Sequence, residues 1–136
     1  MAKKTKAYLD TAALIAALDS SDTHHPLFAQ LFSDPPPLTT TPLVVAEGHG
    51  WFLKRYDPVR ALQFMSFVKD LAVLDILEAG RETVKGAHQV LKKFHDQGLT
   101  FVDASGLWLM ERLKIRSCWS TDRHLGLTGV PLVIHE

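Results

Sequence analysis

The sequence predicts an α/β fold, a three-layer α/β/α sandwich on a mostly parallel central sheet, and three observations lead to it. Short apolar runs stop on an aspartate, as at Ala7-Tyr8-Leu9-Asp10, Leu99-Thr100-Phe101-Val102-Asp103 and Cys118-Trp119-Ser120-Thr121-Asp122. Beyond these aspartates lie stretches of helical composition or helical spacing, with apolar residues three or four apart on one face. Strand and helix candidates alternate along the chain, the arrangement of strand-helix-strand units rather than of hairpins. With 136 residues, residues 1–136 suit a single domain, which at that size buries roughly two thirds of its unfolded surface.

Each element has its own signal. Ala7 to Leu9 reads as a strand and Thr11 to Leu18, rich in Ala, Leu and Ile, as a helix. Leu27, Phe28, Leu31 and Phe32 give a second helix one buried face, and Asp34 with three prolines ends it. Leu38 to Thr40 is a brief β-type stretch. Thr41-Pro42 sets a capping hydroxyl before a proline at the first helical position, so a helix should run to about Tyr56. Asp57-Pro58 repeats that signal for a helix with Val59, Leu62, Phe64, Met65 and Val68 on its apolar side, and a strand at Ala72 to Ile76 follows. Arg81 to His95 has helical spacing with Gly98 placed to close it. Leu99 to Val102 then reads as a strand, the segment after Asp103 as a helix, Ser117 to Thr121 as a strand and Pro131 to Ile134 as the last strand.

Composition excludes more than it proposes. Apolar residues make up 46% and charged residues 22%, the balance of a folded globular chain rather than a disordered one. Lys plus Arg and Asp plus Glu are equal at 15 each, so a surface for a polyanion has to be a local patch. The lone Cys118 cannot make an intramolecular disulfide or a cysteine zinc site, which suits a reducing cytoplasm. The basic start Met1 to Lys6 leads into a segment cut by Asp10 and Asp19 and is not expected to be a signal peptide; no run approaches a membrane span. A cytoplasmic protein with no membrane partner is the expectation.

Asp10, Asp103 and Asp122 each stand where a strand candidate stops. In a parallel sheet those positions share the edge outside the carboxyl ends of the strands, where ligands bind in open α/β sheets. Glu47 lies four residues after Leu43, three after Val44 and four before Trp51, which puts a carboxylate on an otherwise apolar stripe expected to face the core. Clustered carboxylates repel unless protonated or neutralised, and no Lys or Arg adjoins every one of them. A divalent cation would neutralise them, and hard oxygen donors suit magnesium or manganese over zinc or copper. That chemistry fits hydrolysis of phosphate esters. Against it stands helix capping, the ordinary role of an aspartate before a helix.

The same residues resemble the PIN domain, especially its VapC-type toxin branch, over nearly the whole chain. Tyr8-Leu9-Asp10-Thr11-Ala12 and the aliphatic helix after it are similar to the family's opening. Thr41-Pro42-Leu43-Val44-Val45-Ala46-Glu47 resembles its helix with the second acid, Leu99-Thr100-Phe101-Val102-Asp103-Ala104 the strand-Asp-Ala segment with the third, and Trp119-Ser120-Thr121-Asp122-Arg123-His124-Leu125 its closing Thr-x-Asp or Thr-Asp signature. Ala12 and Leu125 depart from residues frequent in relatives, at positions that are not metal ligands in the family pattern. The resemblance implies metal-dependent cleavage of RNA with Asp10, Glu47, Asp103 and Asp122 as catalytic metal ligands, a homodimer, and an antitoxin protein as inhibitory partner.

Thr11 and Thr121 flank the acids and could orient a carboxylate or bound water, with Ser120 a weaker candidate, and Arg123 is placed to meet a phosphate. The seven histidines show no zinc spacing and are expected at surface or packing positions, and Trp51, Trp108 and Trp119 in the core. A haloacid-dehalogenase-like phosphatase would need an acid where Ala12 stands, and a receiver domain a paired acid beside Asp10. A non-catalytic RNA-binding or scaffolding PIN domain is the remaining alternative.

Overall fold

The strands are short, two or three residues each. In the computed structural model, which describes residues 5–136, they are β1 (Ala7–Leu9), β2 (Leu38–Thr40), β3 (Leu74–Ile76) and β4 (Cys118–Trp119). The basic start Met1 to Lys6 falls mostly outside the described residues. The order is β3-β2-β1-β4 with every pairing parallel. Strands β1, β2 and β4 are buried throughout, as parallel strands covered on both faces must be. Strand β3 forms one edge, where the charged Asp75 and the exposed Ile76 lie.

Among the described residues six α-helices flank this sheet: α1 (Thr11–Leu18), α2 (His25–Leu31), α3 (Pro42–Arg55), α4 (Pro58–Asp70), α5 (Arg81–Lys93) and α6 (Phe101–Leu113). Side chains alternate across a strand, and the register Tyr8 with Cys118 and Leu9 with Trp119 therefore assigns the faces. Tyr8 lies against Gly106 of α6, where an added Cβ would come within 2.9 Å of the phenol ring. Trp119, on the other face, meets Phe28 of α2 and Phe32 edge-on. Helices on both faces of one parallel sheet make the expected α/β layering. Tyr8, Phe28, Phe52, Phe64 and Leu107 are fully buried in the core between the layers.

Two expected strands are corrected. Leu99 to Val102 is not a strand: Thr100 caps α6, accepting from the Asp103 amide at 3.1 Å while Asp103 Oδ2 accepts from the Thr100 amide at 3.2 Å. This reciprocal capping box outweighs the β-propensity of Thr, Phe and Val. At Pro131 to Ile134 only Leu132 bridges to Cys118, after which Val133–His135 closes into a 3-10 turn. A proline opening a segment after Gly129 and Val130 supplies a carbonyl to Cys118 but no N–H for a ladder. Helix α5 ends at Lys93, before His95, and Gly98 takes its left-handed φ of 67° four residues beyond the Phe94 cap rather than closing the helix itself. The Asp57-Pro58 start holds as read, with the Asp57 carboxylate accepting from the Arg60 amide at 2.8 Å. Thr41 occupies the N-cap position of α3, yet its hydroxyl makes no capping bond and is buried without a partner.

Candidate metal centre

Asp10 follows β1 directly, and its amide continues the sheet by donating to the Trp119 carbonyl at 3.0 Å. It sits at the N-cap position of α1 without spending its side chain on a capping bond. Instead Asp10 Oδ2 accepts from the Ser120 hydroxyl at 2.7 Å, and that hydroxyl accepts in turn from the Asp122 amide at 3.0 Å. Ser120, fully buried, thus ties the ends of β1 and β4 together and sets Asp10 relative to Asp122.

The third aspartate arrives from above the sheet. Asp103 stands in the first turn of α6, and the close approach of Gly106 to Tyr8 brings that turn down over β1. Asp103, Asp122 and His124 each offer one ligand atom, and these atoms lie within 4.8 Å of one another. That is the spread of donors around one cation, where each ligand sits roughly 2.0–2.6 Å from the ion. Asp122 begins the 3-10 turn Arg123–Gly126, accepting from the His124 amide at 3.0 Å, and His124 Nδ1 lies 3.1 Å from Asp122 Oδ1.

Glu47 is placed otherwise than expected. Helix α3 buries Val44, Gly48 and Phe52, four residues apart, and Glu47 falls beside that line and is exposed. It stands on the exposed rim of the acid group and not on a core-facing stripe, lining a shallow concavity with Trp51, Lys54 and Arg55. Its charge still reaches the buried acids. The Asp10 carboxyl is pushed up from its ordinary value to about 7, by burial above all, and further by the negative charges of Asp103 and Glu47; the Ser120 hydroxyl and Thr11 amide pull the other way. Burial and the same acids raise Tyr8, and burial with Asp10 and Asp122 raises the Cys118 thiol, so Cys118 is a buried inert thiol.

The donor set fits a hard divalent cation. Three aspartates gather at the carboxyl edge of the sheet with a fourth acid at the rim, and the groups acting most strongly on Asp10 include no cation. Thr11, two residues past the end of β1, and Thr41, one past the end of β2, hold buried hydroxyls with no protein partner. Thr121 is half-buried and Arg123 exposed beside Asp122. Sequence reasoning ranked one contributor low and missed another. Ser120, the weakest of the flanking hydroxyls there, is the one bonded to Asp10, and His124, assigned to surface or packing, faces the acids. The Ser-x-Asp-x-His spacing from Ser120 to His124 was the available signal.

No protein-family model and no curated protein sequence matches the chain. The fold is shared with solved toxins. VapC20 of Mycobacterium tuberculosis, a sarcin-ricin loop cleaving toxin, superposes with a TM-score of 0.83 at 18% identity, covering 91% of this chain and 95% of that one. The protein PAE2754 of Pyrobaculum aerophilum gives 0.65 at 20% identity over 96% and 91%, and a toxin-antitoxin complex from Klebsiella pneumoniae 0.62 at 18% over 93% and 95%. The likeness at these identities is one of architecture: the chain shares the fold of VapC20 and of the other two solved structures.

Proposed function

We propose that the chain is a metal-dependent endoribonuclease that hydrolyses phosphodiester bonds of single-stranded or structured RNA, and that it is the toxin of a toxin-antitoxin pair. One observation supports this above the rest: Asp103, Asp122 and His124 bring ligand atoms within 4.8 Å of one another, and Asp10, tied to Asp122 through Ser120, feels the negative charges of Asp103 and Glu47 with no cation among its main influences. On this reading residues 1–136 act as one nuclease domain in the cytoplasm, and a cognate antitoxin restrains it. Among the described residues no helix is long and apolar enough to cross a membrane.

Asp10, Asp103 and Asp122, with Glu47 from the rim, would hold Mg2+ or Mn2+. Such an ion lowers the pKa of bound water and offsets charge developing on phosphate and leaving oxygen. The protein's own side chains supply orientation. Ser120 fixes the Asp10 carboxylate, His124 steadies Asp122, and the buried Thr11 hydroxyl and neighbouring Thr121 are available to position water. Arg123 is exposed where a scissile phosphate would approach and can donate two parallel bonds to it. The alternative of a scaffolding PIN domain without catalysis is disfavoured by the presence of all four acids.

A homodimer is part of the same reading, on a revised basis. Of Phe64, Met65, Phe67 and Val68, Phe64 and Val68 turn into the core and Phe67 packs against Phe32. The apolar residues that α4 leaves outside are Val59, Leu62 and Met65, up to 65% exposed.

The deciding experiment measures Mg2+- and Mn2+-dependent cleavage of structured and unstructured RNA by wild type, Asp10→Asn, Glu47→Gln, Asp103→Asn and Asp122→Asn. Loss of cleavage in the variants and in EDTA is expected. Variants that cut as wild type does, or cleavage indifferent to EDTA, would remove the proposal.

A further inference from the structure

At the opposite end of α6 from the acids, Lys93, Lys114 and Arg116 surround a concavity of about 380 Å³. None of the three forms an ion pair among the described residues, whereas the neighbouring Arg112 is engaged by Glu82 at 3.0 Å. One acid, Glu111, lines the same space. Thr128 also lines it, and its hydroxyl is buried without a hydrogen-bond partner. In a chain with 15 cationic and 15 acidic residues this is a local excess of positive charge.

Basic residues at helix C-termini often do no more than offset the macrodipole. Lys114 departs from that pattern. The Ile115 amide reaches back to the Met110 carbonyl at 2.9 Å and the Lys114 amide to the Glu111 carbonyl at 3.3 Å, a Schellman closure that already satisfies those carbonyls. Lys114 occupies its left-handed position at φ 56°, the place where glycine is favoured, and among the described residues it is the one non-glycine with positive φ. A charged side chain is therefore held at a backbone cost where dipole compensation would be served equally from the last turn.

We propose that this concavity is a second RNA contact, with Lys93, Lys114, Arg116 and Thr128 taking backbone phosphate of the same strand that the acids cut. The inference rests on the nuclease reading above. Lys114 stands 11 residues beyond Asp103, roughly 16 Å along a helix, about five stacked nucleotides at the ~3.4 Å per step of a duplex strand. The contact selects RNA that extends well past the cut site, and it carries no base readout.

The test compares wild type with Lys114→Gly and Lys93→Gln/Arg116→Gln on two RNAs, a tetranucleotide too short to reach Lys114 and a folded RNA of about 30 nucleotides. KM for the long RNA should rise on the order of tenfold in each variant, kcat should hold, and cleavage of the tetranucleotide should not change. The salt dependence of binding should lose about one unit of log-log slope per cation removed. Lys114→Gly should also unfold at a higher temperature, because glycine relieves the left-handed position; a dipole role alone would lower it. Unchanged KM for the long RNA overturns the proposal. So does a thermal shift with inorganic phosphate that is lost in the variants while RNA affinity is untouched, which would mark a free-anion site, or loss of antitoxin binding alone, which would mark a protein interface. If wild type cuts neither RNA, the nuclease reading fails by itself. Fluorescence anisotropy with the long RNA then decides the contact: weaker binding with a reduced salt slope in the variants sustains it, and equal binding removes it.

Discussion

Asp10→Asn should stabilise the metal-free protein at alkaline pH while destroying the cation site. In the folded apo state the Asp10 carboxyl titrates at about 7 against an ordinary 3.8, so the folded chain holds a proton that the unfolded chain releases. A raised value works in one direction. Its stabilising contribution is complete below the unfolded value near 3.8 and is lost as pH climbs through about 7. The difference of about three units at 1.36 kcal/mol each makes that loss on the order of 4 kcal/mol by pH 8. Asparagine carries no charge to desolvate or repel, and its carbonyl can still accept the 2.7 Å bond from Ser120. At roughly 3 °C per kcal/mol for a chain of this length, the variant should melt about 10 °C above wild type at pH 8 in EDTA, and the gap should close toward pH 4. Added Mn2+ should raise the wild type at pH 8, where the cation takes the place of the proton, and should not raise the variant. The assay is thermal unfolding from pH 4 to 8.5, with EDTA and with Mn2+. A variant no more stable than wild type at pH 8 in EDTA would refute the assignment of Asp10 as a buried, repelled carboxylate.

Three further outcomes follow from packing and hydrogen bonding. Gly106→Ala puts a Cβ 2.9 Å from the buried Tyr8 ring, so α6 must move off β1; urea unfolding should register about 1–3 kcal/mol of destabilisation, and cleavage should fall because Asp103 moves with the helix. Tyr56→Phe removes the 2.9 Å bond to Asp19, whose carboxyl, despite burial that pushes it up, is held below its ordinary value by Ser21 and Tyr56; the cost should be about 1 kcal/mol at neutral pH, shrinking as acid protonates Asp19. Leu62→Glu places a charge on a side chain that is 65% exposed; if α4 forms the dimer contact, light scattering should report a monomer with unchanged thermal stability at low concentration.

Most of the sheet was legible because its strands carry local signals. Ala7 to Leu9 and Cys118 to Trp119 are apolar runs ended by polar residues, and Pro42 and Pro58 announce helices by a rule that depends on one residue alone. Leu99 to Val102 misled for a physical reason. Its side chains favour a strand, but the Thr100–Asp103 capping box commits the backbone to a helix one residue later, and that pairing was itself present in the sequence as Thr-x-x-Asp. Glu47 misled differently: helical spacing assigns it to the stripe of Leu43 and Trp51, while the core takes the neighbouring line Val44, Gly48 and Phe52, because Gly48 admits the Phe64 ring against the α3 backbone. Which of two adjacent helix faces is buried depends on what packs there, and α4 supplies that only after folding.

Asp10, Asp103 and Asp122 reach one sheet edge although the element expected beneath Asp103 is not a strand, and the reason bears on the choice between capping and metal binding. In a parallel α/β layer the carboxyl ends of strands and the N-termini of the following helices occupy the same edge, so an aspartate reaches it from a strand end, as Asp10 and Asp122 do, or from a first helical turn, as Asp103 does. The two roles then coexist. A carboxylate has two oxygens; the capping box of Asp103 uses Oδ2, and Asp122 caps its turn through Oδ1. Capping fixes the rotamers of these two aspartates before any cation arrives, and Ser120 fixes the third. Local hydrogen bonds that could be taken as the whole purpose of the aspartates therefore preorganise them, and the repulsion left among Asp10, Asp103 and Glu47 is the free energy that a bound cation would relieve.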